Sequence, residues 1–450
     1  MNTEMKKKGY DYVIVGTGPG GGTTARELAK AGASVCIVER GARHERMLGA
    51  PFGTRILEGG GLFCRSMEGV YIARGITVGG SSMIYNGNVF NPPQKLLNQI
   101  GLDFSQEVAE LREEIGVQKL PERFFAHWTG GMRMFEAAQS LGLHFRQQVK
   151  FINPDKCKVG CDSCIAGCPR GAKFSSRVFV DQAVQAGATL MVSTPVEHVL
   201  WEKNRAKGVR ARDGRAILGD KIILSAGGIG TPRILLSSGF SGVGENFYMD
   251  PMDIVVGYAD KPGQGSWREM TFTHAIEDLK DTYGFIIGNI SAFSAFGTST
   301  MRLNMLRHNL PRAPYYKRGM GLFVKLGDER QGRVYADGRI SKPFTETDNQ
   351  RMAKGVQIAK EILLKAGAAP GSIAVGRGIG GHPGGTAAMG RVVDQHFRTR
   401  LENLYVCDGS VLPESPGVPP SLTIMSMSKM FAKMLLGQVK PEDRKIPPTT

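Results

Sequence analysis

No uninterrupted apolar run in the 450 residues approaches the ~20 needed to span a bilayer. Nor does the N-terminus show a secretion signal: Met1 leads through Lys6, Lys7 and Lys8 straight into a strand-like stretch, without an apolar core and small-residue cleavage site. A soluble, cytoplasmic protein is the expectation. Zinc-finger spacing and a basic helix with interleaved aromatics are both missing, so nucleic acid is not an expected partner even at a net charge of +16. There is no internal repeat and no low-complexity linker, and 41% hydrophobic with 22% charged residues excludes a disordered chain. The basic excess, 57 Lys and Arg against 41 Asp and Glu, is scattered. It fits an anionic substrate, an acidic partner protein, an anionic membrane surface, or no partner.

Glycine is abundant instead. Sixty residues exceed the usual ~7%, and they gather in short runs: Gly18 to Gly22, Gly59 to Gly61, Gly79-Gly80, Gly227-Gly228, Gly380-Gly381 and Gly384-Gly385. Such runs let main-chain N–H groups approach a ligand with no Cβ in the way.

Residues 10–41, YDYVIVGTGPGGGTTARELAKAGASVCIVERG, read as apolar strand, glycine turn, amphipathic helix and a second apolar strand ending in an acid. Gly16 makes the tight turn, Gly18 lets backbone meet a pyrophosphate, and Gly21 lets the helix pack closely on the sheet. The helix N-terminus offers unpaired N–H groups to phosphate, and Glu39 is placed to accept from ribose hydroxyls, which disfavours NADP. The motif alone does not separate FAD from NAD.

Three further segments make that distinction: ARGITVGGSSMIYNGNVFNPP (73–93), KIILSAGGIGTPRILLSSG (221–239) and the C-terminal stretch 380–430 that opens GGHPGGTAAMG. Together, and in this order, they resemble the glucose-methanol-choline (GMC) oxidoreductases. The resemblance implies an α/β chain: a Rossmann-like FAD-binding domain assembled from 1–94, 151–250 and 375–450, and an α+β substrate domain with an antiparallel sheet from 95–150 and 251–374. It implies that Gly79, Gly80, Ser81, Ser82, Asn86 and Gly87 run under the pyrophosphate and flavin ring. Asp408 and Gly409 would contact the pyrophosphate and ribityl chain, and Arg40, Val196, Pro420 and Ser421 would complete the cofactor shell. Some members tether FAD through a histidine in the glycine-serine loop; none stands between Gly79 and Pro93, so the flavin is expected to be noncovalent.

In the family the histidine of an HPGGT-like segment takes the hydroxyl proton while hydride leaves for the flavin, and His382 matches it. A group that is neutral before and cationic after suits an imidazole, whose ordinary pKa is ~6.5. The sequence departs from the family where a second histidine or asparagine usually pairs with the first. Pro419 stands there, and proline has no side-chain donor or acceptor.

Four of the seven cysteines, Cys157, Cys161, Cys164 and Cys168, lie within twelve residues as C-x3-C-x2-C-x3-C-P, one residue longer in the first gap than a bacterial ferredoxin run. An iron-sulfur cluster, a structural zinc and free thiols are the alternatives, the zinc disfavoured because its sites usually hold two separated CxxC pairs. Within the family the segment resembles the iron-sulfur segment in the catalytic subunit of bacterial FAD-dependent glucose dehydrogenases, and a related stretch occurs in long-chain alcohol oxidases. Four cysteines favour 4Fe-4S over 3Fe-4S. Cys36, Cys64 and Cys407 are most simply packing residues. The expected function is FAD-dependent oxidation of an alcohol, polyol or sugar-like hydroxyl, with electrons passing through the cluster to an external protein or quinone. A flavin-containing lyase or isomerase, and an oxygen-using oxidase with a zinc loop, are the alternatives.

Overall fold

The computed structural model describes residues 9–45, 55–58, 64–161, 163–266, 269–291, 317–444 and 446. The glycine run 59–61 lies outside them. Two sheets organise the chain. The first is seven-stranded, in the order β8 (Thr189–Met191), β2 (Val35–Val38), β1 (Tyr10–Val15), β11 (Ala216–Leu224), β10 (Arg205–Ala211) and β9 (Val196–Glu202), with β19 (Leu404–Val406) also pairing β11. Strands β8, β2, β1, β11 and β19 run parallel. Parallel strands are covered on both faces and so read as continuous apolar runs, which is why β2 is VCIV with every residue buried. Helix α1 (Pro19–Lys30) packs on this sheet and against both α5 (Arg177–Gln185) and α9 (Ser421–Leu435).

The second sheet is eight-stranded: β3 (Cys64–Arg65), β4 (Tyr71–Ile72), β18 (Ala374–Gly380), β12 (Pro251–Tyr258), β15 (Gly319–Leu326), β14 (Phe285–Asn289), β13 (His274–Ile276) and β6 (Arg146–Gln147). Its central pairs are antiparallel. Period-two alternation on β15 turns Leu322, Val324 and Leu326 into the core under α8 (Glu346–Lys365) and sends Phe323 and Lys325 toward the cavity between the sheets. Strands β3, β4 and β18 come from ranges that the resemblance assigns to the FAD domain. They join this sheet because β18 pairs with β12 over Pro251–Val256 and carries β4 alongside. Helix α8 starts on a capping box in which Thr345 accepts from the Asp348 N–H at 3.0 Å and Asp348 accepts in return. Among the described residues no helix is long and apolar enough to cross a membrane.

Candidate active site

A cavity of about 620 Å³ runs between the two sheets. At one end stands the glycine turn. A Cβ on Gly16 would collide with the Ser225 carbonyl and one on Gly21 with the Gly16 carbonyl, whereas at Gly18 the space is open toward the cavity. Gly18 also caps α1 without a side chain, and the first turn of α1 has no acid, so its N–H groups face the cavity uncompensated. Thr17 ties the turn to the second loop: its hydroxyl accepts from the Gly79 N–H at 3.1 Å and donates to Glu39 at 2.5 Å. Glu39 also accepts from the Thr17 and Gly41 N–H groups. Burial pushes its carboxyl above the usual range, against the pull of those hydrogen bonds. Glu58 holds Arg40 at 3.1 Å and Arg74 at 2.8 Å, both on the cavity wall.

Gly79 and Gly80 adopt φ of +96° and +55°, so the loop can press on the first turn; a Cβ on Gly80 would stand 2.9 Å from Gly18 Cα. Gly80, Ser81, Ser82 and Asn86 line the cavity; Gly21, Gly79 and Gly87 shape the backbone behind it. Ser82 is spent inside the loop, donating to the Gly79 carbonyl at 2.6 Å and accepting from the Ser176 N–H at 2.9 Å. Val196, Gly409, Pro420 and Ser421 reach the cavity as well. The Asp408 carboxylate is occupied within the protein, by Gly227 N–H at 2.8 Å, Thr231 hydroxyl at 2.6 Å and Ser410 N–H at 2.7 Å. These bonds fix the Gly227 turn, and Asp408 itself lines the cavity. The N-terminus of α9 opens on the cavity with no acid in its first turn, and the buried Tyr248 hydroxyl, also on the wall, has no partner among the described residues. Uncapped N–H groups, cationic side chains and an orphaned hydroxyl fit a phosphate-bearing flavin cofactor.

His382 sits at the other side of the same cavity with 22% of its side chain exposed. Its turn is held rigidly: Gly384 exchanges backbone hydrogen bonds with Tyr248, and a Cβ on Gly228 or Gly380 would strike Pro383 or Met249. His382 Nδ1 lies 3.2 Å from Asp250 Oδ2. Asp250 is fully buried at φ +50°, a conformation aspartate tolerates better than most residues. Lys325 Nζ is 2.5 Å from the same Oδ2, and the Ser415 hydroxyl donates to Oδ1. Burial, then the Lys325 charge, lowers the His382 pKa, while Asp250 pulls it up. Behind this group Asp328 accepts from the Asp250 N–H at 2.8 Å and pairs with Lys342 at 3.0 Å, and burial raises its carboxyl to about 6.

The cysteine loop forms another part of the wall. Cys161 and Cys164 line the main cavity, and all four cysteines line a hollow of about 10 Å³ beside it. Burial and the neighbouring thiols push Cys157 up to about 12. Among the described residues no three His, Cys, Asp or Glu side chains are arranged as a metal-ligand set. Cys36 and Cys407 are buried and Cys64 is half-buried.

Two family models described as GMC oxidoreductase match this chain, over residues 54–252 and 331–428. The chain belongs to the GMC oxidoreductase family. A model described as an FAD binding domain matches residues 10–70. An uncharacterized GMC-type oxidoreductase of Mycobacterium tuberculosis is 27% identical over 95% of this chain and 76% of its own length. A long-chain-alcohol oxidase of Arabidopsis thaliana is 25% identical over 96% and 68%. The fold is that of pyridoxine 4-oxidase from Mesorbium loti, with a TM-score of 0.70 at 16% identity over 96% of this chain and 100% of that one. This GMC oxidoreductase is thus an FAD-dependent enzyme built on the fold expected from its motifs.

The sequence did not point to Thr17, Arg233, Tyr248, Asp250 or Lys325, all on or beside the cavity. A local signal existed for one of them: Lys325 interrupts an otherwise apolar strand, GMGLFVKL, whose eight residues are all buried.

Proposed function

We propose that the protein is a dehydrogenase that oxidises a hydroxyl of an alcohol, polyol or sugar-like substrate, and that an iron-sulfur cluster on Cys157, Cys161, Cys164 and Cys168 passes the electrons to an external protein or quinone. The observation that carries this reading is a shared wall: the glycine turn, the His382 turn and the cysteine loop open on one cavity. Bound FAD supplies the acceptor for the hydride. The chain supplies the proton handling. With Nδ1–H donated to Asp250, the imidazole presents a bare Nε2 to the hydroxyl, and burial with Lys325 keeps it neutral and ready to accept. The C–H bond then gives up hydride with its electron pair, the O–H proton passes to Nε2, and the substrate leaves as the carbonyl compound. Met252, Ile254, Phe272, Ile290 and Phe323 make this end of the cavity apolar, which favours expulsion of water around the reacting carbon.

Two buried ammonium groups support the cluster. Lys150 donates to Asn86 O, Asn88 Oδ1 and Thr271 O, and Lys173 to the carbonyls of Ser82, Met83, Tyr85 and Cys164. Among the described residues both meet neutral acceptors only, and burial lowers Lys150 to about 7 and Lys173 to about 8; an anionic thiolate-bound centre between them and the flavin loop would stabilise their charged forms. A cluster there supplies one-electron passage between the cavity and the surface. Anaerobic purification tests this: about three or four irons per chain are expected alongside the flavin, with flavin bleaching by an alcohol and turnover on a one-electron dye. Full activity in iron-free protein would overturn it. A second reading, an oxygen-using oxidase, is favoured by the name of the Arabidopsis relative and by the absence of a preformed ligand set among the described residues. Peroxide formed one-for-one with product, from iron-free protein, is its signature.

A further inference from the structure

The cavity wall beyond His382 is a floor laid by the second sheet. Met252 and Ile254 follow Asp250 at alternate positions along β12, and β15 faces them in register, with Lys325 opposite Met252 and Phe323 opposite Ile254. The floor therefore begins beside the imidazole, where Asp250 meets Nδ1, and runs away from it along the strands. Phe323 is its centre. A Cβ on Gly288, the residue opposite on β14, would stand 2.3 Å from Phe323 Cζ, so the ring lies across the neighbouring strand in space that glycine leaves. Phe272 meets that ring edge-on, with centroids 4.6 Å apart. Two residues farther along β15, Gly321 makes room for Ile290, whose Cγ2 would be 2.9 Å from a Cβ there. From Lys325 to Gly321 the floor is about 13 Å long at the usual strand rise. Among the described residues of β12, β15 and the flanking segments 269–272 and 290, three polar side chains line this wall, and each has a partner inside the protein. Lys325 donates to Asp250 Oδ2, Thr271 Oγ1 accepts from the Ser291 N–H at 3.1 Å, and Glu269 accepts from the Thr129 and Gly131 N–H groups at 3.0 and 2.9 Å. A hydroxyl laid on such a floor exchanges water for carbon, which costs roughly tenfold in affinity. A methylene laid there gains about threefold.

We propose that the substrate is an alcohol with a single hydroxyl on an apolar body, which lies along the Ile254–Phe323 floor while its carbinol end meets His382, and that Phe323 is the residue that selects it over polyols and sugars. The inference rests on the hydroxyl-oxidation reading and narrows its substrate class. The iron-sulfur part of that reading does not enter.

Two measurements on flavin-bound protein test it. The first is the second-order rate constant of anaerobic flavin bleaching by ethanol, n-butanol, n-octanol, sorbitol and glucose. It should rise about two- to fourfold per methylene from ethanol to n-octanol, and n-octanol should exceed sorbitol and glucose at least about a hundredfold. Phe323→Ala should lower the ratio of n-octanol to ethanol about tenfold, and Phe323→Leu should restore most of it. A merely structural role would lower both rates together with flavin content and leave that ratio alone. The second measurement is calorimetric binding of octanamide and gluconamide, which carry one head group on an apolar and a hydroxylated body. Octanamide should bind at least about tenfold tighter, and Phe323→Ala should narrow that difference. A sugar or polyol that bleaches the flavin faster than n-octanol, rates independent of chain length, an unchanged ratio in Phe323→Ala, or equal binding of the two amides would overturn the proposal. If none of the five compounds bleaches the wild type, the hydroxyl-oxidation reading fails for them, and the amide pair alone decides whether the floor selects an apolar body.

Discussion

At the scale of single residues the chemistry turns on one imidazole and its two charged neighbours. His382 must be neutral to accept a proton, so the rate is full above its pKa and is lost as pH falls through it. Burial and Lys325 lower that pKa; the acid limb of kcat/KM should therefore lie below pH ~6.5. Removing a neighbouring cation raises an imidazole pKa, and removing a neighbouring anion lowers it. Lys325→Met should move the limb to higher pH and Asp250→Asn to lower pH; limbs that move together or not at all would contradict the arrangement. His382→Ala should slow flavin reduction about 10²–10⁴-fold with flavin still bound, because the cofactor cradle belongs to other loops. His382 was legible in the sequence because its glycine-rich turn is a local motif. Asp250 and Lys325 were not, since they lie 75 residues apart and meet only through the register of β12 with β15.

Elements show a similar division between local and long-range signals. The capping box of α8 is written in TETD, so helix start and type were readable, and Thr345→Ala should cost about 1 kcal/mol in chemical denaturation. A helical stretch over 95–116 was equally readable, and Gly101 at φ +71° and Gly116 at φ +73° end its two pieces, Gln94–Ile100 and Ser105–Ile115. Strands β3 and β4 were not legible: at two residues each they exist only because β18 offers an edge. The cysteine loop was visible as spacing, but its neighbours Lys150 and Lys173 were not. Replacing Cys161 and Cys164 together by serine should lower iron to below about one per chain in a chelator assay while flavin absorbance per chain is kept, because Gly18, Glu39 and Arg74 belong to separate segments. Loss of flavin in parallel with iron would show instead that the loop is a structural part of the flavin cradle.

For the whole molecule the meeting of the sheets matters, and with it the aromatic group that packs the far end of the second sheet. His274 on β13 lies among Phe125, Trp128 and Phe135, with ring centroids 5.2, 5.7 and 4.5 Å away. Its Nδ1 lies 3.1 Å from the Thr273 hydroxyl. Burial, with a smaller contribution from the Lys150 charge, lowers its pKa to about 4. In the unfolded chain the same imidazole protonates near ~6.5. Above that pH neither state binds the proton and the residue has no effect on the pH dependence. As pH falls from ~6.5 toward 4 the unfolded state binds more protons than the native one, so stability is lost, by at most about 3 kcal/mol from this residue. His274→Phe keeps an aromatic ring in the box and removes the titration. The drop in melting temperature between pH 7 and pH 5 should be smaller in His274→Phe than in wild type, measured on flavin-bound protein at constant ionic strength. An equal drop in both would place the acid sensitivity elsewhere, with the Asp250, Asp328, Lys325 and Lys342 group as the next one to dissect, since it is buried between the same two sheets.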